Sequence, residues 1–334
     1  MSDNTKSNGR EVKGALLGIH ALTSLHPGSG TALGTVDLPV QRERHTQWPI
    51  IAGSALKGIL RDACRERVKG DYQDDDGAEP GKNKRTRRDK ANEDHPELVA
   101  AFGPATAQSS EHAGAVSVTD ARLLAFPVRS LKGVFAWVSC PAVLDRLGRD
   151  AVLAGIQAPD ALPRTVPDNH ALVPAGCPCL IDDTQVVLEE FDFARSGADS
   201  SGLAEWVTEH LLPDTSEYAG TRERFRKQFL ILSDNDFTHF VRHATEVSTR
   251  IGLNYETKTV KTGALFYQEF LPTETLFYAV VLANPARTRS GNGSTGTELL
   301  NFVRECLPPV LQIGGDETIG KGLCRVRIAC GKDA

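Results

Sequence analysis

Two side chains that could take part in chemistry lie beside turns near the start of the sequence. His26 precedes Pro27-Gly28-Ser29-Gly30, and Asp37 precedes Leu38-Pro39. A carboxylate can act as a general base or hold a Mg²⁺ ion that keeps several of its waters, and an imidazole can transfer protons near neutral pH. From the residues alone, Asp37 could instead hydrogen-bond its own turn, and His26 could be an ordinary surface histidine.

Two glycine-rich loops partly match nucleotide-binding motifs. The segment 315–321 fits most of GxxxxGK[ST], but Gly322 stands where a hydroxyl should bind Mg²⁺, and a strand is predicted next instead of a helix. The segment 28–34 does not fit GxGxxG. Nucleotide hydrolysis is therefore not expected. The loops could still bring backbone N–H groups close to RNA phosphates, or could only supply turns that need positive φ.

The element predicted between these loops is a helix over 54–68 that follows a buried strand over 14–25. Ser54 is a suitable N-cap, and apolar residues recur at helical spacing behind it. Lys57, Arg61 and Arg65 lie at i, i+4 and i+8, which predicts an exposed basic side.

A charge-segregated segment spans residues 70–95. Acidic residues come first, six basic residues follow between Lys82 and Lys90, and no apolar period is present. This pattern predicts a long, mobile surface insertion, which could be a solvated loop or a loop that contacts phosphates.

The second half of the sequence alternates predicted strands and helices. Segments 247–253 and 263–272 flank a polar tip that contains Lys258 and Lys261, which predicts a β-hairpin. A predicted helix over 298–306 and a final strand over 323–330 complete an α+β pattern, compatible with a ferredoxin-like or RRM-like core.

The composition excludes several classes of protein. The 334 residues contain 38 basic and 43 acidic side chains, for a net charge of −5, which as an average argues against a nucleic-acid binder. No apolar run reaches the roughly 18–20 residues of a membrane span. Seven cysteines, an odd number, predict a reducing, cytoplasmic compartment. Cys177-Pro-Cys179 is expected to be a pair of buried thiols.

Four blocks, 25–46, 51–61, 263–272 and 313–322, together resemble the RAMP superfamily. The motif Asp-Leu-Pro-Val-Gln-Arg-Glu-Arg-His-Thr, from Asp37 to Thr46, is similar to the backbone RAMP subunit of the type III-B CRISPR (Cmr) effector complex. The resemblance implies a single RAMP domain over 1–334, with a modified ferredoxin-like core, inserted loops and a β-hairpin thumb at 249–266.

The resemblance also implies a function. Such subunits stack head to tail along a CRISPR RNA beside other Cmr subunits, and cut single-stranded target RNA next to each thumb with a divalent metal, Mg²⁺ or Mn²⁺. Asp37 matches the family's catalytic, metal-holding aspartate, and His26 matches a histidine near that site. Glu269 is a further catalytic candidate. The residues expected to contact RNA are Lys57, Arg61, Ser54, Gly53, Arg42, Arg44, Gly320 and Lys321.

Three functions follow from the resemblance as hypotheses. The first is an antiviral, RNA-guided endoribonuclease subunit that acts within the assembled complex. The second is a non-catalytic guide-RNA scaffold. The third is a free-standing nuclease that processes the guide, for which no histidine constellation can be assembled from this sequence.

Overall fold

A computed structural model describes residues 11–31, 36–75, 84–105, 112–287 and 293–331. The strands are β1 (Lys13–Ala21), β2 (Ile50–Ile51), β3 (Val116–Val118), β4 (Ala121–Arg129), β5 (Phe135–Ser139), β6 (His170–Ala171), β7 (Leu180–Ile181), β8 (Gln185–Leu188), β9 (Phe191–Arg195), β10 (Phe229–Ile231), β11 (Glu246–Leu253), β12 (Val260–Phe270), β13 (Leu276–Ala283), β14 (Val310–Gln312) and β15 (Leu323–Cys330). The helices are α1 (Gly53–Val68), α2 (Arg87–Asp94), α3 (Pro96–Phe102), α4 (Pro141–Leu153), α5 (Ser201–Leu211), α6 (Ala219–Gln228), α7 (Asp234–His243) and α8 (Gly296–Cys306).

The central strands of the main sheet form the predicted ferredoxin-like core. Its central strands lie in the order β15-β1-β13-β4, and each is antiparallel to its neighbour. Helix α1 connects β1 towards β4, and α8 connects β13 towards β15, which gives the βαββαβ arrangement of such a core. β1 is buried over most of its length because both of its edges are paired and helices cover it.

The hairpin β11–β12 projects from the core as a separate two-stranded sheet. The segment predicted as the thumb, 249–266, lies within it, and the paired strands extend further on both sides, to Glu246 and Phe270. At the tip, Asn254 Oδ1 accepts hydrogen bonds from the backbone N–H groups of Glu256 and Thr257. The part of the hairpin nearest the core, residues 246–250 of β11 and 266–270 of β12, is called its root.

The prediction that Ser54 caps α1 was wrong. The helix begins at Gly53, and its N-cap is Ala52, which offers no side-chain acceptor. Gly53 N donates to Asp120 Oδ1 at 2.7 Å. A Cβ on Gly53 would lie 2.6 Å from Val118 O, so the close packing of backbone on backbone requires glycine here.

The segment 70–95 was predicted to lack regular structure, and within it the structure contains α2. A capping box between Thr86 and Asp89 starts this helix. Its charges pair with nearby opposite charges: Arg88 with Asp62 at 3.0 Å and Lys90 with Asp75 at 2.7 Å. Residues 76–83, which include Lys82, lie outside the described ranges.

The basic side of α1 is less exposed than its spacing predicted. Arg61 and Arg65 are partly buried, because the chain after Arg85 folds back over α1. Arg61 Nε donates to Asn92 Oδ1 at 3.2 Å, and Arg65 pairs with Asp62. None of the helices in the described ranges has the length and apolar character that a bilayer span needs.

Candidate functional site

The candidate site lies along the edge of β12 that faces away from β11. Leu38 N donates to Tyr267 O at 3.0 Å, and Glu269 N donates to Leu38 O at 3.0 Å. At one end of this short ladder, Tyr267 N donates to Asp37 Oδ2 at 2.8 Å. At the other end, His26 Nδ1 lies 2.7 Å from Glu269 O. The structure therefore brings Asp37, His26 and Glu269 together at one strand edge.

Asp37 is the exposed carboxylate of this group. Its anchor, Tyr267 N, and the anchor of His26, Glu269 O, are roughly 7–9 Å apart on an extended strand. The two side chains therefore flank the ladder and do not form a hydrogen-bonded pair.

Glu269 is buried, with 6 % of its surface exposed. Its Oε2 accepts from Val40 N at 3.0 Å, and its Oε1 accepts from Arg42 at 2.5 Å. Arg42 also donates to Gln47 O at 2.8 Å and to Val241 O at 2.9 Å. Both side chains are therefore engaged inside the protein, where they fix the loop that carries Asp37.

His26 lies where the two glycine-rich loops meet. Gly315 N donates to His26 O at 3.0 Å, and a Cβ on Gly28 would lie 2.8 Å from His26 Nε2. The ring is 7 % exposed and packs 5.5 Å from the ring of Phe270. Because a carbonyl only accepts, Nδ1 carries a proton and donates it to Glu269 O.

The second glycine loop, residues 314–322, is referred to below as the glycine loop. It contains a short 3₁₀ turn over Glu317–Ile319, followed by the exposed Gly320 in the left-handed region at φ +75°. Lys321 Nζ lies 3.3 Å from Ser24 Oγ and 5.1 Å from the centre of the Phe270 ring. The loop thus presents exposed backbone and a cation near the edge of the site.

The α1 residues form a separate part of the candidate RNA surface. Ser54 is exposed, while Lys57 is partly buried. Burial lowers the pKa of Lys57, and the nearby charges of Arg61 and Arg287 lower it further. Burial also lowers the pKa of Arg61. In the described part of the chain, no hydrogen bond or ion pair joins the side chains of Ser54, Lys57 and Arg61 to Asp37.

Arg44 is exposed in the turn after Arg42. The neighbouring Glu43 accepts two hydrogen bonds from Arg146 at 2.9 Å, and burial works against its ionisation. The hydrogen bonds from Thr46 and Arg146 outweigh burial and lower the pKa of Glu43. Glu43 and Arg146 hold the turn in place, and Arg44 projects from it.

Among the described residues of the candidate site at the edge of β12, Asp37 is the one exposed carboxylate that could hold a metal ion. Across the described ranges, no group of three or more His, Cys, Asp and Glu side chains could hold a metal ion. Glu269 is buried, and its two oxygens already accept hydrogen bonds from Val40 and Arg42. One exposed carboxylate fits a Mg²⁺ or Mn²⁺ ion that keeps most of its waters or takes phosphate oxygens as ligands.

Two residues at the root of the hairpin were not indicated by the sequence. Arg250 and Asp316 form an ion pair at 3.2 Å. The alternation along β11 could have placed Arg250 on the face it shares with Gln268. Nothing local could have indicated Asp316, which comes from a loop more than sixty residues further along the chain.

Comparisons with known proteins show which family has this fold. The model of the RAMP superfamily matches residues 19–325. The "CRISPR system Cmr endoribonuclease Cmr4" of Pyrococcus furiosus is 37% identical over 322 residues, which cover 95% of this chain and 96% of that protein. The crystal structure of oligomeric Cmr4 from Pyrococcus furiosus superposes with a TM-score of 0.66 at 28% identity, covering 96% of this chain and 98% of the other.

A more distant match shows the same fold. A chain in the type III-B Cmr-beta complex bound to cognate target RNA superposes with a TM-score of 0.64 at 19% identity, covering 94% of this chain and 96% of that one. The family model spans nearly the whole described core, and the central strand order is that of a ferredoxin-like domain. This chain belongs to the RAMP superfamily.

Proposed function

We propose that this chain is a CRISPR RNA-binding backbone subunit of a type III-B antiviral effector complex, and that it cuts guide-complementary target RNA at regular intervals. Its partners would be a CRISPR RNA, single-stranded target RNA, other Cmr subunits and further copies of itself stacked head to tail. The similarity to the Pyrococcus furiosus endoribonuclease supports this assignment. The free, mostly buried cysteines suit work in the cytoplasm.

One observation carries the catalytic part of the proposal. Asp37 is an exposed carboxylate, and it is held by the backbone of Tyr267 at the root of a projecting hairpin. A hairpin that interrupts a guide–target duplex would leave a nucleotide unstacked beside that root. The site would then need only to orient this nucleotide and to accept a proton.

The chemistry uses the RNA's own hydroxyl. The 2′-oxygen attacks the adjacent phosphorus, the bond from phosphorus to the 5′-oxygen breaks, and a 2′,3′-cyclic phosphate remains. As the general base, Asp37 would take the proton from the 2′-hydroxyl, and the departing 5′-oxygen would take a proton from water. Glu269 and Arg42 would keep the Asp37 loop in position without touching RNA.

A divalent metal is part of this proposal. If Asp37 holds a hydrated Mg²⁺ or Mn²⁺ ion instead of acting as the base, the ion would stabilise negative charge on the phosphate. His26 contacts the same strand edge, but its burial favours a role in joining the two glycine-rich loops.

The alternative function is a non-catalytic guide-RNA scaffold. The burial of Glu269 and His26 supports it, because Asp37 is then the one accessible side chain among the three catalytic candidates. One experiment distinguishes the nuclease from the scaffold. The chain is assembled with guide RNA and its partner subunits, and labelled target RNA is added with Mg²⁺, with Mn²⁺ or with EDTA. Regularly spaced products that disappear with EDTA support the nuclease. Target capture without any cutting supports the scaffold.

A further inference from the structure

We propose that Asp316 is a positioning residue that fixes the root of the hairpin to the glycine loop. Through this contact, the loop would set the angle of the hairpin and, with it, the phosphodiester that is cut. The consequence for cutting rests on the proposed function, whereas the mechanical link between loop and hairpin does not.

The contact reaches both strands of the hairpin through one carboxylate oxygen. Asp316 Oδ2 accepts a hydrogen bond from Gln268 Nε2 of β12 at 2.6 Å, and it forms an ion pair with the Arg250 guanidinium of β11 at 3.2 Å. Gln268 is 4 % exposed and the Arg250 and Asp316 side chains are mostly covered, so water screens these contacts poorly.

Ser24 supplies a second link between the same two elements. Its hydroxyl donates to Glu246 Oε2, at the start of β11, at 2.8 Å. Its carbonyl accepts from Gly322 N at 2.9 Å. The root of β11 is therefore tied to both ends of the glycine loop, near residue 316 and at residue 322.

The rest of the hairpin has little support of its own. Ile251, Leu253, Val260 and Leu265 are each at least half exposed, although they are large and apolar. An isolated two-stranded hairpin is at best marginally stable in water, so its direction must be set where it meets the core. The Asp316 contacts are at that point.

The link also reaches the candidate site. Gln268 lies in β12 between Tyr267, whose N–H holds Asp37, and Glu269, whose carbonyl contacts His26. A change in the position of Gln268 would therefore shift the ladder that presents Asp37. Lys321 Nζ of the glycine loop lies 5.1 Å from the centre of the Phe270 ring, and Arg250 Cζ of β11 lies 5.6 Å from it. RNA bound at the glycine loop would therefore be close to the contact between Asp316 and Arg250.

The test uses Asp316→Asn, which keeps the size of the side chain. Asp316 has φ +67°, and asparagine tolerates this left-handed region as well as aspartate does. Arg250→Gln removes the charge from the other partner, and a double variant combines the two. Glu223→Gln, which breaks the exposed Glu223–Lys227 pair on α6, is the matched control.

The first measurement is amide hydrogen exchange of the free chain, which needs no RNA. We expect exchange in β11 and β12 to be about tenfold faster in each single variant, as when a charged hydrogen bond is lost. The double variant should be no faster than the single ones, because both changes remove one shared contact. Wild-type exchange in Asp316→Asn, or additive effects in the double variant, would overturn the proposal.

The second measurement maps cut positions in the assembled complex. Wild type and Glu223→Gln should cut at sharp, regular positions, and Asp316→Asn should spread the cuts over neighbouring phosphodiesters. Equally sharp cuts in Asp316→Asn would overturn the link to cutting. If wild type itself does not cut, the proposed function fails, and hydrogen exchange still decides whether Asp316 fixes the hairpin.

Discussion

Asp37 contacts the outer edge of β12, and Glu269 belongs to that strand, but the first is exposed and the second is buried beside Arg42. An exposed carboxylate can meet substrate and exchange protons with it. A buried carboxylate whose oxygens are both hydrogen-bonded stabilises the position of its donors. At the scale of single residues, we therefore assign chemistry to Asp37 and support of its loop to Glu269.

Glu269→Gln tests the supporting role. The variant leaves the guanidinium of Arg42 without its charged partner inside the protein, and breaking a buried pair costs about 3–5 kcal/mol of unfolding free energy. Urea unfolding measures the loss. Glu205→Gln, which removes the partner of the more exposed Arg226, should cost no more than about 1 kcal/mol. Full stability in Glu269→Gln would contradict the supporting role.

The sequence was enough to select His26, Asp37 and Glu269, because each lies in a distinctive motif of the resemblance. It could not show that Asp37 is exposed while His26 and Glu269 are buried. Burial of Glu269 depends on Arg42, more than two hundred residues away, and the Asp37 contact depends on a backbone N–H of β12. Such contacts arise from tertiary pairing, which leaves no local pattern.

At the scale of elements, the glycine loop shows why particular glycines are needed. Gly314 has φ +81°, and a Cβ there would lie 2.4 Å from His26 O. Gly320 has φ +75° with nothing within 4 Å of such a Cβ. The first position combines backbone strain with a clash, and the second has strain alone.

Gly314→Ala and Gly320→Ala form a matched pair for a stability measurement. We expect Gly320→Ala to lower the unfolding free energy by about 1–2 kcal/mol, the cost of a left-handed non-glycine residue. Gly314→Ala should cost more, because the His26 carbonyl must also move. Thermal or urea unfolding compares them, and equal costs would argue against close packing of the loop on His26.

Local patterns predicted some elements better than others. Ser233 caps α7 by accepting from Asp236 N, a contact between residues three apart that a local pattern can indicate. The Ser54 cap failed because Gly53 packs against a distant strand. Helix α2 was missed because it is stabilised by ion pairs and a capping box, and it has no apolar period.

At the scale of the whole molecule, the net charge of −5 conceals a local distribution. Much of the basic charge near α1 is paired with acidic side chains, as in Arg88 with Asp62. In the described residues around α1, such pairs reduce the positive charge that a single copy offers to RNA. Stacked copies would add their contacts along one guide.

This distribution predicts a difference in salt dependence. Each phosphate that a protein neutralises on a single strand contributes about −0.7 to the slope of log affinity against log salt. We expect a steeper slope for guide RNA bound to the assembled complex than for the free chain. Filter binding across a salt series measures both slopes. Equal slopes would contradict the idea that assembly collects the basic contacts.

The most direct test of the central claim is target cleavage by complexes assembled with Asp37→Asn. The control is Asp145→Asn, which changes an exposed aspartate on α4 that pairs with Arg149. Guide binding, target capture and assembly should be unchanged in both variants. We expect the regularly spaced products to form at least about 100-fold more slowly with Asp37→Asn, as when a general base is lost, and at the wild-type rate with Asp145→Asn. Cleavage by Asp37→Asn at the wild-type rate and spacing would contradict the account.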